Sequence, residues 1–123
     1  MTISEAIKKG MIELKNENIE EPKLKSRLLM QSTLNKTRQY VIVNDMAHCE
    51  DELDEIHKKK ILDGIEQLRN YIPIQYITNN QEFMKLNFFV DKNVLIPRQD
   101  TEILVEEVIK IAQKTNAKKI LDL

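Results

Sequence analysis

Glycine is almost missing from this sequence, and its scarcity limits what the chain can build. Only Gly10 and Gly64 occur among the 123 residues, and both stand in segments whose apolar residues recur at helical spacing. A loop that binds the phosphates of a nucleotide needs glycines, because its backbone N–H groups must approach the ligand closely. These residues therefore cannot form a glycine-rich nucleotide-binding loop.

The apolar residues between positions 3 and 69 predict a bundle of about four helices. The first is predicted over residues 3–15, starting near Ser4. The second begins with Pro22, which suits the first helical position, and ends near Asn35. The predicted buried residues are Ile3, Ile7, Met11 and Leu14 in the first helix, and Leu24, Leu28 and Leu29 in the second.

Two further helices complete the predicted bundle. Thr37 is the expected cap of a short third helix through residues 38–43. Residues 48–70 are predicted to form the longest helix, because acids crowd its start while Lys58 to Lys60 and Arg69 come later, an order that complements the helix dipole. Its predicted buried face consists of Leu53, Ile56, Ile61, Ile65 and Leu68.

The pattern changes after residue 70. We expect a helical turn at 73–76, then a hairpin with strands at 82–86 and 88–97 and breaks at Asn87 and 91–93. A helix with Asp100 as its N-cap is predicted to reach about Lys114. Residues 117–123 predict a buried strand; since a lone strand has no partner, we expect the parent chain to continue. The stripe predicted for the last helix is Leu104, Val105, Val108, Ile109 and Ala112.

Composition excludes several classes of function. The formal net charge is -1, with 41% hydrophobic and 32% charged residues, which argues against broad electrostatic binding of nucleic acid or anionic membranes. No apolar run approaches the roughly 20 residues that span a bilayer. Cys49 is the single cysteine, so no internal disulfide can form, and a reduced, cytosolic setting is expected.

His48, Cys49 and His57, with Asp51 and Glu52 nearby, are residue types that ligate metals. Their spacing matches no closed zinc site, and four convergent ligands are not evident. We therefore predict no metal site and interpret these residues as part of a helix start.

Three segments carry a resemblance to a known family. They are PIQYITNNQEF at 73–83, VLIPRQDTEILVE at 94–106 and ILDL at 120–123. In this order and spacing, the sequence resembles the peptide-chain release factor glutamine N5-methyltransferases over residues 20–123, most closely from Pro73 onward. The resemblance implies a mainly α chain with an N-terminal helical bundle, a β-hairpin linker, and the first helix and strand of a Rossmann-like α/β methyltransferase domain.

The resemblance also implies an organisation and an activity. Residues 1–72 correspond to a helical substrate-recruiting domain, 73–98 to a linker with a hairpin, and 99–123 to the start of a truncated methyltransferase domain. Full-length members use S-adenosylmethionine to methylate the glutamine of the Gly-Gly-Gln loop in class-I release factors. Their cofactor loop and substrate clamp come after ILDL. The chain is therefore expected to hold no catalytic residue and to bind no cofactor alone, and the parent enzyme is expected to be cytoplasmic.

Six residues are singled out by the resemblance. Leu95 and Asp122 are implied to lie near the cofactor site, Leu95 as an apolar wall. Pro97, Arg98, Thr101 and Glu102 are implied to form the junction between the recruiting and catalytic domains. For Arg98 the alternative is a surface ion pair with Asp100 or Glu102, and Asp122 is equally consistent with an ordinary polar residue.

The sequence departs from the family pattern at three positions. Asn79 and Lys85 stand where glycine is usual, and Gln99 replaces a proline. Asparagine tolerates positive φ, so a turn at Asn79 can form. Lys85 argues against a close backbone approach within the hairpin.

Two alternative functions remain open from the sequence. The chain is either the front of a methyltransferase or a non-enzymatic helical interaction module.

Phe83, Phe88 and Phe89 are predicted to form the hairpin core, because base stacking would need surrounding positive charge.

Overall fold

The computed structural model describes residues 1–47 and 50–123. The chain divides into two units, Met1–Asn79 and Asn80–Leu123. The predicted mainly α architecture is confirmed. The first unit contains α1 (Ile3–Asn16), α2 (Pro22–Leu34), α3 (Arg38–Met46), α4 (Glu55–Arg69) and the short α5 (Ile74–Thr78); the second contains β1 (Gln81–Phe83), β2 (Leu86–Phe88) and α6 (Gln99–Thr115).

Side-chain caps determine where α1 and α3 begin. The hydroxyl of Thr2 accepts a 3.2 Å hydrogen bond from the N–H of Glu5, whose carboxylate accepts one of 2.9 Å from the N–H of Thr2. This capping box satisfies two N–H groups that the helix leaves unpaired, so α1 begins just before Ser4. Thr37 caps α3 as predicted, accepting from the N–H of Tyr40.

Helix α4 begins later than predicted. Asp54 is its N-cap and accepts a 2.8 Å hydrogen bond from the N–H of His57. The preceding segment is extended because it pairs with the N-terminus: the N–H of Leu53 donates to the carbonyl of Met1 at 2.9 Å. The prediction of one helix over 48–70 was therefore wrong over residues 50–54, while residues 48 and 49 lie outside the described part of the chain. With 15 residues, α4 is shorter than the 17-residue α6.

The core of the first unit is aliphatic and comes from all five helices and one connection. Two predictions of burial were wrong: Leu24 is 41% exposed and Ile56 is 69% exposed. Ile56 lies in the first turn of α4, beyond the part that packs on the bundle, whereas Leu53 reaches the core from the extended segment. The buried cluster consists of Ile3, Ala6, Ile7, Leu14, Ile19, Leu29, Met30, Val41, Ile61, Ile65, Leu68 and Ile74.

Both glycines lie where helices approach closely. A Cβ atom added at Gly10 of α1 would stand 2.7 Å from the hydroxyl oxygen of Ser26, and one at Gly64 of α4 would stand 2.5 Å from Cδ1 of Leu29. Ser26 and Leu29 both belong to α2. The glycines thus allow α1 and α4 to pack on α2, and neither has a positive φ.

Asparagines take the left-handed conformation directly after three of the described helices, and Asn18 does so two residues after the end of α1, with a φ of 57°. Asn35, Asn79 and Asn116 follow α2, α5 and α6 with φ values of 51°, 55° and 51°. The turn expected at Asn79 in place of glycine therefore forms.

The hairpin forms in the second unit, but its turn is not where the sequence indicated. The antiparallel strands pair Gln81 with Phe88 and Phe83 with Leu86. The turn lies at Met84 and Lys85, both with positive φ (53° and 61°), as in a type I′ hairpin turn. The break predicted at Asn87 was wrong, because Asn87 pairs within β2, which ends well before residue 97.

The remaining part of the second unit departs further from the prediction. Arg98, not Asp100, occupies the N-cap position of α6, and no side chain caps this helix. The predicted stripe is not buried: Leu104 is 63% exposed and Ile109 is 43% exposed. Residues 117–123 form no strand, because no neighbouring strand in the described chain pairs with their backbone groups.

Candidate functional site

The segment from residue 94 to residue 102, which we name the elbow, joins the hairpin region to α6. Leu95 is 84% exposed and Pro97 is partly buried. The backbone of Arg98 is extended, and its carbonyl accepts a 3.1 Å hydrogen bond from the N–H of Thr101. Within the elbow, the backbone therefore changes from extended to helical directly after Arg98.

Two hydrogen bonds tie the elbow to the hairpin. The carboxylate of Glu102 accepts a 2.9 Å bond from the N–H of Met84 in the hairpin turn. The side-chain amide of Gln81 donates to the carbonyl of Pro97 at 3.4 Å. Sequence reasoning identified Glu102 and Pro97 but missed both partners, since it placed the turn at Asn87 rather than at Met84.

The other predicted site residues, in the elbow and near the end of the sequence, take no part in these two hydrogen bonds. Arg98 is exposed, and within the described residues it forms no ion pair with Asp100 or Glu102. Thr101 and Asp122 are exposed as well. The structure therefore brings Pro97 and Glu102 together with the hairpin, and leaves the remaining predicted site residues at the surface.

A cavity of about 520 Å³ lies between the hairpin and the start of α6. Its described lining includes three carboxylates and one lysine. The lining residues are Gln81, Glu82, Met84, Lys85, Gln99, Glu102 and Glu106.

Two of the three phenylalanines in the hairpin region contact each other. The rings of Phe83 and Phe88 meet edge to face with centroids 6.3 Å apart. Phe88 is nevertheless 42% exposed and Phe89 is 72% exposed, so the prediction that these two residues belong to a hairpin core was wrong.

The metal interpretation concerns residues that the structure describes only in part. His48 and Cys49 lie outside the described residues. His57 contacts Asp54, with 2.6 Å between the ring Nδ1 and the carboxylate, and the hydrogen bond from the N–H of His57 lowers the pKa of Asp54, with the ring bond acting in the same direction. Within residues 1–47 and 50–123, no group of three metal-ligating side chains converges.

A second concave surface lies on the first unit, between α2 and α3. This groove has a volume of about 320 Å³ and an aliphatic floor, with cationic side chains along its edge. Arg27 is bound to Asp45 of α3, with distances of 2.7 and 2.9 Å to one carboxylate oxygen. The lining residues are Lys23, Leu24, Arg27, Leu28, Gln31, Arg38, Val41 and Ile42.

Sequence reasoning missed this groove because it assigned Leu24 to the core. A signal was present in the charges: residues 22–43 contain five basic residues and no acidic ones, although the chain as a whole is slightly acidic. The five are Lys23, Lys25, Arg27, Lys36 and Arg38.

Comparison with known proteins identifies the family of the helical unit. A family model described as the PrmC N-terminal domain matches residues 5–78. The chain belongs to the PrmC N-terminal domain family. The matched range covers α1 to α5 and the α2–α3 groove, so this groove is a feature of a PrmC N-terminal domain rather than of the hairpin region.

The similarity to curated relatives extends beyond the PrmC N-terminal domain. The chain is 41% identical over 122 residues to a release factor glutamine methyltransferase of Clostridium acetobutylicum, covering 99% of this chain and 41% of the relative. It is 37% identical over 122 residues to the protein of the same name from Clostridium botulinum, covering 99% and 42%. A bifunctional methyltransferase of Rickettsia bellii is 34% identical over 109 residues, covering 89% and 19%.

The chain spans about two fifths of the length of the two clostridial relatives. No helix within the described ranges combines the length and apolar character that crossing a bilayer requires.

Proposed function

We propose that this chain is the release-factor-binding portion of an S-adenosylmethionine-dependent enzyme that N5-methylates the glutamine of the Gly-Gly-Gln loop in class-I peptide-chain release factors. The observation that carries this proposal is the similarity of nearly the whole chain to release factor glutamine methyltransferases, at 41% identity with the Clostridium acetobutylicum protein. We assign residues 1–72 to substrate recruitment, 73–98 to a linker, and 99–123 to the start of the catalytic domain.

The chemistry of the reaction explains why a separate binding portion is useful. The nitrogen of a side-chain amide is a poor nucleophile, because its lone pair is delocalised into the carbonyl group. Transfer of a methyl group to it therefore depends on orientation and on hydrogen bonds that hold the amide in place. A helical domain that holds the release factor away from the reacting glutamine contributes binding energy and specificity to that orientation.

The residues of this chain do not by themselves fit S-adenosylmethionine. Gly10 and Gly64 are packed inside helices against Ser26 and Leu29, and Leu95 is 84% exposed. We therefore propose that the chain alone binds no cofactor and transfers no methyl group. Leu95 and Asp122 are assigned to the edge of the cofactor site of a complete enzyme, on the strength of the sequence resemblance.

The elbow has a structural role in this proposal. Pro97 restricts the backbone before α6 and supplies no N–H donor, and Glu102 holds the turn of the hairpin at 2.9 Å. Together with Arg98 and Thr101, these residues form the joint between recruiting and catalytic domains. An enzyme acting on release factors belongs in the cytoplasm, and we propose no direct contact of this chain with nucleic acid or membrane.

Competition provides the test. The purified 123-residue chain is added to a methylation reaction that contains the Clostridium acetobutylicum methyltransferase, its class-I release factor and methyl-labelled S-adenosylmethionine. We expect the chain to inhibit labelling by sequestering the release factor, with a dissociation constant between about 1 and 100 μM, roughly -8 to -5.5 kcal/mol. The chain without the enzyme should transfer no label.

Two results would count against the proposal. Labelling of the release factor by the chain alone would refute its inactivity. Absence of inhibition, together with no heat on direct titration of the release factor at about 100 μM, would refute release-factor binding. That second result would favour the alternative of a helical interaction module with another partner, which the self-contained core of α1 to α5 also permits.

A further inference from the structure

The groove between α2 and α3 combines two features that together indicate the chemistry of a ligand. Its floor includes Leu24, which remains 41% exposed, with Leu28, Val41 and Ile42 beside it. Such aliphatic surface in a concave site is typical of a position that receives an apolar side chain. The groove is about 320 Å³, at the small end of the range of ligand pockets.

The cationic side chains at the edge of the groove differ in whether they form ion pairs. Arg27 is bound to Asp45 and is only partly exposed. Lys23 and Arg38 form no ion pair with any described residue. Two positive charges therefore remain available beside the apolar floor, one from α2 and one from the start of α3.

The first turn of α2 carries only positive charge, whereas the two residues that precede the helix, Glu20 and Glu21, are acidic. Lys23 and Lys25 lie within its first four residues, and no acidic residue occupies the first turn. Its N-cap, Glu21, is in the left-handed conformation and makes no side-chain cap. Positive charge at a helix N-terminus is unfavourable, and local rules of stability are most often broken at functional sites.

We propose that the α2–α3 groove is a docking site for an amphipathic helical segment of a partner protein, one that places acidic side chains beside a row of aliphatic ones. The acidic groups would pair with Lys23 and Arg38, and the aliphatic groups would cover Leu24. The identity of the partner as a class-I release factor rests on the proposed function, whereas the chemistry of the docked segment follows from the groove.

The same features argue against nucleic acid as the occupant. A phosphate backbone is bound by many cations distributed along a track, and single strands add aromatic side chains on which bases stack. The groove has an aliphatic floor and two unpaired cations, in a chain of net charge -1.

The experiment measures binding of three probes to the 123-residue chain. The first is the class-I release factor of Clostridium acetobutylicum. The second is a fluorescein-labelled peptide of about 18 residues, with leucines on one helical face and glutamates beside them, together with a version in which glutamine replaces glutamate. The third is a labelled single-stranded RNA of about 20 nucleotides. Anisotropy reports the peptide and RNA, and calorimetry reports the release factor.

Matched variants locate the site. The double charge reversal Lys23→Glu with Arg38→Glu should weaken both protein probes by about tenfold or more. Leu24→Ala should weaken them by about fivefold. The controls are Lys59→Glu with Lys60→Glu on the exposed face of α4, and Val43→Ala, which removes an apolar group that is 62% exposed on α3 but does not line the groove. These should change binding by less than about twofold.

Each outcome decides the proposal. Groove-dependent binding of the glutamate peptide and release factor supports it; groove-dependent binding of the peptide alone supports the groove and rejects the release factor as its partner. Release-factor binding that survives both groove variants overturns the groove while leaving the proposed function intact. Three other results also overturn the proposed docking site. In the first, the glutamine peptide binds as tightly as the glutamate peptide, and in the second, the glutamate peptide fails to bind. In the third, RNA binds through Lys23 and Arg38 in place of the peptide.

Discussion

The substitution Gly64→Ala tests whether close packing of α4 on α2 stabilises the bundle. In an exposed helix this change would stabilise by about 1 kcal/mol, because alanine is the better helix former. Here the new methyl carbon would stand 2.5 and 2.8 Å from the two terminal methyl carbons of Leu29 and 3.2 Å from its Cγ. Leu29 is only 3% exposed, so it must move against other core residues by about an ångström, and such overpacking costs about 1–3 kcal/mol.

The net expectation is a loss of about 1 kcal/mol in the free energy of unfolding. A double-mutant cycle separates the two contributions. Leu29→Ala alone should cost about 2–5 kcal/mol, but in that background the colliding methyl groups are gone and Gly64→Ala should become stabilising by about 1 kcal/mol. The coupling energy between positions 29 and 64 should therefore equal the overpacking cost, about 1–3 kcal/mol.

Urea denaturation followed by far-ultraviolet circular dichroism measures all four proteins of the cycle. Gly10→Ala in the same two backgrounds is the control, because its nearest neighbours are Ser26 and Ile65 rather than Leu29. A coupling below about 0.5 kcal/mol between Gly64 and Leu29, or a stabilising effect of Gly64→Ala in the native background, would refute the packing argument.

Three further perturbations concern other elements. Lys85→Gly should stabilise the hairpin by about 0.5–1 kcal/mol. The change removes left-handed strain of about 1–2 kcal/mol, and the greater conformational freedom of glycine in the unfolded chain offsets part of that gain. Slower amide hydrogen exchange in β1 and β2 would show the stabilisation. Glu102→Ala should speed exchange of the Met84 amide by about tenfold, because that N–H loses its acceptor. Asp54 has its pKa lowered first by the N–H of His57, so its contribution to stability is present above about pH 3.9 and is lost as pH falls through the lower folded value. Thermal unfolding of Asp54→Asn should therefore differ from that of the native chain near pH 6 and converge with it at more acidic pH.

Controls for these three lie close by in the chain. Lys92→Gly changes a loop residue without positive φ, so it should bring no gain in stability. Glu106→Ala removes another carboxylate from the same cavity and should leave exchange of the Met84 amide unchanged. Asp63→Asn alters an exposed carboxylate within α4 and should not change the acid dependence. A gain from Lys92→Gly equal to that from Lys85→Gly would show that turn strain is not the cause.

Local signals predicted much of the helical unit. Pro22 and Thr37 mark helix starts by backbone restriction and side-chain capping, and both predictions are confirmed. The start of α4 was missed because it depends on a contact distant in sequence, the pairing of Leu53 with Met1. No pattern within residues 48–54 shows that pairing, and their acidic character alone favoured a helix.

Less of the candidate site than of the helical unit could be predicted from the sequence. Glu102 was identified by resemblance, but its hydrogen bond to the Met84 N–H depends on a turn with positive φ at two residues that seldom adopt it. Leu24 follows the helical spacing of a core residue and is nevertheless exposed, because the spacing of α2 does not show which side α3 leaves open. Hydrophobic periodicity predicts a face, and only the packing of a neighbour determines whether that face is covered.

The use of asparagine rather than glycine at the helix ends also affects the unfolded chain. Asn35, Asn79 and Asn116 make left-handed turns that glycine would make with less strain. Each asparagine, however, has fewer conformations than glycine when the protein is unfolded, so folding loses less entropy at these positions. The near absence of glycine therefore narrows the denatured ensemble, and the two glycines that remain are those whose missing side chains make room for α2.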